Sequence, residues 1–489
     1  MIIPLSLTLG KFKIKTMKVE QLFTGCLAEM AYYIESNGEA AVIDPLRETE
    51  PYLRMAEADN AKIKYVFLTH FHADFVSGQY DLAQKTGAKI IFGPNATAEY
   101  DIYNAKDGEE FPLGDGKITL LHTPGHTMES SSYLITDGEG NTPYVCTGDC
   151  LFIGDVGRPD LAVKQGKLTE KDLAGFLFDS LRNKIMTLPD DIIVYPNHGA
   201  GSACGKNMSS ETFDTLGNQK KTNYALRADM TKEEFIVEVT TGLKPPPQYF
   251  PNNVRMNKTI NTSIEDILHK GTTPLDAATF KELSEQKDVL VVDTRSKELY
   301  AEEGTVPGAW YIGIDGNFAP WVGALIKDIG QKIIFIADSE NRVNEIVTRF
   351  SRVGYDNTMG YLEGGMSNWK SHGFEVDMIG SISAHLFAEK LAKGEMEKPV
   401  DVRKESEYLS EHVVGVDNFP LDFIHDNFAE IDTDKEYFLH CASGYRSLIA
   451  ASIFKANGVE KVTDVRGGFK DLKETEAQMT DYVCPTTLL

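Results

Sequence analysis

At 489 residues with 42% hydrophobic content, the chain is long enough for about three domains with separate cores. A formal net charge of −24 repels phosphate backbones and anionic headgroups, which disfavours nucleic acid and membrane surfaces as partners. Six Cys are too few and too scattered for a disulfide scaffold, so reduced thiols and a cytoplasmic location are expected.

The chain begins with a short apolar run whose Lys residues, Lys11, Lys13 and Lys15, follow it instead of preceding it, an order unlike a signal peptide. Residues 1–16 are expected to form an extension, with the first strand starting near Met17. The apolar run Lys64-Tyr65-Val66-Phe67-Leu68 predicts a strand, and Thr69-His70-Phe71-His72-Ala73-Asp74-Phe75 follows it. Alternate residues of an extended segment point the same way, so His70 and His72 can face one cavity from a rigid strand end. Farther on come His126 in Thr-Pro-Gly-His, Asp149 in Thr-Gly-Asp-Cys, and His198 in Pro-Asn-His-Gly. Any one of these His alone is more simply a hydrogen-bonded core residue. The ordered set points to a metal site.

On these residues, the segment 17–257 resembles the metallo-β-lactamase superfamily, and among its branches the persulfide dioxygenases. The usual hydrolase pattern of the superfamily, His-x-His-x-Asp-His, ends in a His that helps to hold a second metal; this chain has Phe75 there, which cannot ligate. The resemblance therefore implies a mononuclear centre, one Fe(II) per chain, on His70, His126 and Asp149, a set that leaves adjacent positions open for substrate and O2. His72, Asp74 and His198 then orient the ligands and bound water. Arg158, in Gly154-Asp155-Val156-Gly157-Arg158-Pro159-Asp160, is expected to pair with Asp155 or Asp160, or to steady substrate. Cys204, in the small-residue loop after His198, is expected either to hold sulfane sulfur or simply to pack, and Cys26 to lie near the same cavity. Cys146 and Cys150 flank a ligand strand and are expected in the core.

Pro245-Pro246-Pro247 excludes a helix and predicts a stiff connector or strap. An internal repeat follows, with Val-Val-Asp-Thr-Arg at 291–295 echoed by Pro-Val-Asp-Val-Arg at 399–403, and Leu362-Glu363-Gly364-Gly365 by Val465-Arg466-Gly467-Gly468. Strand, loop and helix patterns in each copy predict two α/β domains with mainly parallel sheets, 258–378 and 379–489. They resemble rhodanese domains. The second copy carries His440-Cys441-Ala442-Ser443-Gly444-Tyr445-Arg446 ahead of a helical run, so loop amides and Arg446 can favour the nucleophilic Cys441 thiolate. Four residues separate Cys441 from Arg446, one fewer than in related phosphatases. The first copy has Ala337 and Asp338 there, no Cys, and is expected to be catalytically silent.

The whole arrangement, an αββα sandwich followed by two rhodanese-like domains, resembles the bacterial persulfide dioxygenase–sulfurtransferase fusions. The resemblance implies oxidation of a low-molecular-weight thiol persulfide (glutathione, coenzyme A or bacillithiol type) by O2 to sulfite, then formation of thiosulfate through a Cys441 persulfide, in a homo-oligomer. The alternatives are a zinc thiolester hydrolase of the glyoxalase II kind with a sulfurtransferase tail, and a non-enzymatic sulfur-carrier hub.

Overall fold

A computed structural model describes residues 17–163 and 167–484; the expected extension 1–16 lies outside the described residues. The chain divides into two compact units. The first takes Ala28–Phe71, Gly78–Thr240 and the strand before them; the second takes Gly25–Leu27, His72–Ser77 and the chain from Thr241 onward.

Two six-stranded sheets build the first unit. One runs Lys18–Thr24, Glu29–Ser36, Glu39–Ile43, Lys62–Phe67, Lys89–Phe92 and Tyr103–Asn104 in spatial order, antiparallel over its first three strands and parallel beyond them. The other runs Asp214–Thr215, Ile193–Pro196, Tyr144–Gly148, Ser131–Thr136, Gly116–His122 and Glu110–Leu113. Met30, Tyr32, Ile34, Phe67 and Ile91 from the one sheet meet Leu120, Tyr133, Ile135 and Cys146 from the other in a shared apolar core. Every residue of Glu29–Ser36 is buried, because the strand is covered on both faces. A second core lies on the outer face of the second sheet, where Leu177 and Leu181 pack with Val194, Leu216 and Phe235. Helices Glu50–Ala58 and Gln79–Thr86 stand beside the first sheet and complete an αββα sandwich. The two sheets are joined at one edge: Met30 and Asn197 exchange hydrogen bonds at 2.8 and 2.9 Å, and Gly199 N donates to Ala28 O at 2.9 Å.

The second unit holds two five-stranded sheets, and the repeat seen in the sequence is a repeat of topology. Pro274–Leu275, Thr358–Leu362, Lys332–Ile336, Val289–Asp293 and Trp310–Tyr311 lie in the same order as Gly380–Ile382, Val462–Val465, Tyr437–His440, Lys398–Asp401 and Asp417–Asn418. All pairings in both sheets are parallel. The fold is thus α/β throughout, as the sequence predicts. The Pro-rich stretch carries no helix until Phe250–Lys258, and Gln248 Nε2 donates to Ala324 O at 2.7 Å, so the strap packs on the first repeat. No helix among the described residues is long and apolar enough to cross a membrane.

Each repeat is locked by the Asp-x-Arg pair that its sequence motif shares. Arg295 Nη2 reaches Asp293 Oδ2 at 2.7 Å and Arg403 Nη2 reaches Asp401 Oδ2 at 2.6 Å, with all four side chains buried. Arg403 also lies over the Phe469 ring at 3.7 Å. Removing one partner of such a pair strands a buried charge. Asp401→Ala is expected to cost about 3–5 kcal/mol, and Asp401→Ala/Arg403→Met much less. Hydrogen exchange at the Tyr437–His440 amides under increasing denaturant measures both.

Candidate metal centre and thiolate loop

Three loops at one end of the first unit's strands deliver His70, His126 and Asp149. Their ligand atoms all lie within 4.8 Å of one another, and all three side chains are buried. Asp149 Oδ2 stands 3.8 Å from His70 Nε2 and 3.5 Å from His126 Nε2. The hydrogen bonds around the triad fix which ring nitrogens are bare. His126 Nδ1 donates to the Arg158 carbonyl at 2.9 Å. Thr69 Oγ1 donates to Asp44 Oδ2 at 2.8 Å, so it can only accept from His70 Nδ1, 3.0 Å away. Both Nε2 lone pairs are thereby turned toward Asp149. Asp149 Oδ1 accepts from His198 Nδ1 at 2.8 Å, while Oδ2 has no hydrogen-bond partner among the described residues.

A buried carboxylate oxygen left bare opposite two imidazole lone pairs is the arrangement a cation satisfies. Burial alone raises the pKa of Asp149, yet the positive charge its imidazole neighbours can carry, that of His198 first, outweighs it and holds the carboxyl far below the usual range. A metal ion held by His70, His126 and Asp149 would supply positive charge at that oxygen. The donor set fits either iron or zinc.

The structure also assigns supports that motif reading passes over. Asp44 and Thr69 set the His70 tautomer from 25 residues apart, a separation that no local pattern reveals. Gly157 donates its N–H to Asp149 O at 3.1 Å, and a Cβ there would sit 2.0 Å from that oxygen and 3.1 Å from His126 Nδ1. Only glycine allows this approach.

Arg158 resolves one open alternative. Its guanidinium pairs with Asp160 at 2.6 and 2.7 Å, whereas Asp155 binds the Lys206 and Asn207 amides and the Tyr224 hydroxyl. Arg158 N donates to Cys204 O at 3.0 Å, which ties the two loops together. Cys204 is buried, its sulfur within 4.8 Å of a His198 ring nitrogen. Cys26, His72 and Asp74 belong with the second unit. There Arg352 Nη1 donates to Cys26 Sγ at 3.2 Å, and His72 stacks on Phe75 at 4.3 Å, so Phe75 fills the position opposite the imidazole with apolar surface. Cys146 and Cys150 are buried, as expected; burial raises both thiols, that of Cys150 to about 12, despite a hydrogen bond with Thr123.

In the second repeat, Tyr437–His440 ends directly before Cys441, and the helix Tyr445–Ala456 starts four residues later. Gly444 N donates to Cys441 Sγ at 3.1 Å and Ser447 Oγ stands 3.6 Å from it. The loop closes against Gly468, φ +59°, where a Cβ would meet Cys441 O at 2.4 Å. Both terminal nitrogens of Arg446 also bind Glu407, at 2.6 and 2.9 Å, a partner that the sequence reading does not name. Its charge is shared with a carboxylate, and the groups that touch the sulfur are an amide and a hydroxyl. In the first repeat Ala337 occupies the Cys position, a short 3-10 turn Glu340–Arg342 replaces the start of the helix, and Arg342 is taken up by Asp315 and Glu345.

His126→Ala removes one of three donors and leaves the Asp149 charge poorly matched, so the variant is expected to lose most bound metal on purification while keeping its fold. Elemental analysis beside a circular dichroism spectrum checks this. Arg158→Ala, which leaves its backbone carbonyl in place, should retain the metal.

Comparison with known proteins matches both kinds of domain. The metallo-beta-lactamase superfamily profile matches residues 24–198, and the rhodanese-like domain profile matches 276–372 and again 383–475. The cytoplasmic hydroxyacylglutathione hydrolase of Arabidopsis thaliana is 37% identical over 138 residues, 27% of this chain and 53% of that protein, so the chain spans about half of its length. The probable hydroxyacylglutathione hydrolase glo2 of Schizosaccharomyces pombe is 30% identical over 202 residues, 40% of this chain and 73% of that protein. A metallo-beta-lactamase crystal structure from Staphylococcus aureus subsp. aureus COL superposes with a TM-score of 0.62 at 30% identity, covering 71% of this chain and 98% of that one. With its sandwich, its buried His/Asp cluster and these matches, the chain belongs to the metallo-beta-lactamase superfamily and carries two rhodanese-like domains after the sandwich.

Proposed function

We propose that the protein is a non-haem iron persulfide dioxygenase joined to a rhodanese sulfurtransferase, of the CstB type. The observation that carries this reading is the pairing, in one chain, of a His70, His126, Asp149 triad lacking a second-site His with a Cys441 loop built for anionic sulfur. Two imidazoles and one carboxylate are the ligand set of oxygen-activating mononuclear iron. Fe(II) held by these residues would supply the activation of O2 toward the persulfide sulfur. The chain's own part is to keep the triad deprotonated and aligned: His198 anchors one Asp149 oxygen, and the Arg158 carbonyl fixes the His126 tautomer.

At the second site, the Cys441 thiolate attacks the outer sulfur of RS–SH. A Cys441 S–S bond forms, the RS–S bond breaks, and RS− leaves with the electron pair. Sulfite then attacks the outer sulfur, giving thiosulfate and free Cys441. The Gly444 amide and the Ser447 hydroxyl hold the charge on Cys441, and Arg446 with Glu407 lies beside the path of the anions. The carrier thiol is proposed to be of low molecular weight, of the glutathione, coenzyme A or bacillithiol type.

A second reading, a zinc thiolester hydrolase, is favoured by one observation: both curated relatives are named hydroxyacylglutathione hydrolases. Phe75 opposes it, since the side chain is buried, stacks on His72 and offers no ligand atom.

Protein purified without added metal is expected to hold one iron per chain and to consume O2 with thiol persulfide. Two zinc ions per chain with thiolester hydrolysis and no O2 uptake would establish the second reading instead. Cys441→Ser is expected to keep O2 uptake and to release sulfite in place of thiosulfate, read by product quantification.

A further inference from the structure

The helix that follows Cys441 is enclosed on every side. Ser447 through Phe454 are all buried along Tyr445–Ala456, whereas the equivalent helix of the first repeat, Val343–Arg352, buries only Val343, Ile346, Val347, Phe350 and Ser351. A helix buried all round needs cover beyond its own sheet. The first repeat, which lies in the same compact unit, gives it. Tyr311 N donates to Ser452 Oγ at 2.9 Å, Lys455 Nζ pairs with Asp377 at 2.7 Å, and Tyr445 Oη donates to Gly313 O at 2.7 Å.

The last of these contacts enters the thiolate loop itself. Tyr445 meets Tyr311 edge to face at 6.1 Å, and its ring occupies space that Gly316 leaves open, since a Cβ there would sit 2.2 Å from Tyr445 Cζ. The segment that receives the ring is firmly held. Ile312 N and Ile314 N donate to Asp293 O and Thr294 O at 2.9 Å each, and Arg349 Nη1 donates to Ile314 O at 2.6 Å.

The Cys441 loop is thus fixed from two directions. At its start, Phe469 N and Lys470 N donate to Cys441 O and Ala442 O at 2.6 and 3.1 Å; at its end, Tyr445 is pinned by the first repeat. Between them lies Gly444, φ +93°, whose N–H donates to Cys441 Sγ at 3.1 Å. A glycine has wide backbone freedom, so the aim of that N–H depends on what fixes the residues on either side. The first repeat has no such arrangement. Sheet register aligns Asp293 with Ile336 and Asp401 with His440, so Ala337 stands where Cys441 stands, and counting four residues on from each sets the exposed Asn341 against Tyr445.

We propose that the first repeat sets the reactivity of Cys441, and that Tyr445 is the positioning residue through which it does so. The proposal rests on the reading of Cys441 as the sulfur carrier, and it gives the repeat that lacks a Cys a task in that chemistry. Gly313 O and the space over Gly316 hold the Tyr445 side chain, the held Tyr445 limits the turn at Gly444, and the Gly444 amide stays aimed at the sulfur. An amide so aimed favours the thiolate over the thiol. Tyr445 acts through the Gly444 amide, so it is a positioning residue and not a catalytic one.

The test reads alkylation of Cys441 by iodoacetamide in the full chain, by mass spectrometry of the Cys441 peptide, at pH 7 and above about pH 10, where a thiol ionises without help. In Tyr445→Phe the ratio of the rate at pH 7 to the rate at high pH is expected to fall about tenfold, because a hydrogen bond to a charged group is lost or misdirected. A change that merely opened the fold would speed alkylation of this buried thiol at both pH values and leave the ratio alone. Sulfur transfer from thiosulfate to cyanide should lose about tenfold in kcat, with KM for thiosulfate within about twofold. Gly316→Ala, made in the other repeat, should push on the Tyr445 ring and lower the ratio likewise; it carries the test should Tyr445→Phe fail to fold. Lys455→Gln weakens the contact with Asp377 at the far end of the helix and should keep the wild-type ratio. A wild-type ratio in Tyr445→Phe or in Gly316→Ala overturns the proposal, as does an equal fall in Lys455→Gln. A lowered ratio in Tyr445→Phe beside a wild type that transfers no sulfur instead overturns the sulfurtransferase reading and leaves the role of Tyr445 standing.

Discussion

The first unit depends on a carboxylate placed where burial opposes its charge. Asp149 is fully enclosed, one oxygen taken by His198 and the other facing the bare nitrogens of His70 and His126. Such a group can stay ionised only if positive charge is available within the cluster. The surrounding structure serves that condition. Thr69 and Asp44 turn one imidazole, the Arg158 carbonyl turns the other, and Gly157 lets its loop close down to the Asp149 backbone. These contacts come from loops at the ends of strands in both sheets, so sheet packing and metal affinity are two expressions of the same arrangement.

The two repeats show how one scaffold separates stability from chemistry. Both keep the parallel five-stranded sheet and the buried Asp-x-Arg pair that closes the turn after the strand Val289–Asp293 or Lys398–Asp401. They diverge in the loop that follows the central strand, Lys332–Ile336 or Tyr437–His440. One copy sets an amide and a hydroxyl against Cys441; the other places Ala337 and a cluster of charged side chains there. A fold of this kind tolerates the exchange because the loop lies at the carboxyl ends of the strands, where few core contacts depend on it.

Sulfur chemistry and thiolester hydrolysis make different demands on the metal domain, and Phe75 marks the difference. A hydrolase with two metals needs a further imidazole at that point, whereas the chain supplies a buried phenyl ring stacked on His72. The similarity to hydroxyacylglutathione hydrolases covers 27% and 40% of this chain. The proposed persulfide chemistry draws on Phe75 together with the Cys441 loop in the same chain.

The sequence alone determined the α/β class, the internal repeat, the grouping of His70, His126 and Asp149, and the presence of a Cys before the helix in the second repeat where the first has Ala337. These are legible because each is written as a local pattern: a strand run followed by closely spaced ligands, or a strand–Cys–helix junction. What only the tertiary structure decided involves groups distant in sequence. Glu407 taking both terminal nitrogens of Arg446, Asp160 and not Asp155 pairing with Arg158, and Asp44 setting the His70 tautomer all bring together residues that no spacing rule connects, or choose between equally spaced candidates. The physical reason is that a side chain's charge and proton are set by what faces it across the packed interior, and a linear pattern records which chemistry is present without recording which groups face each other.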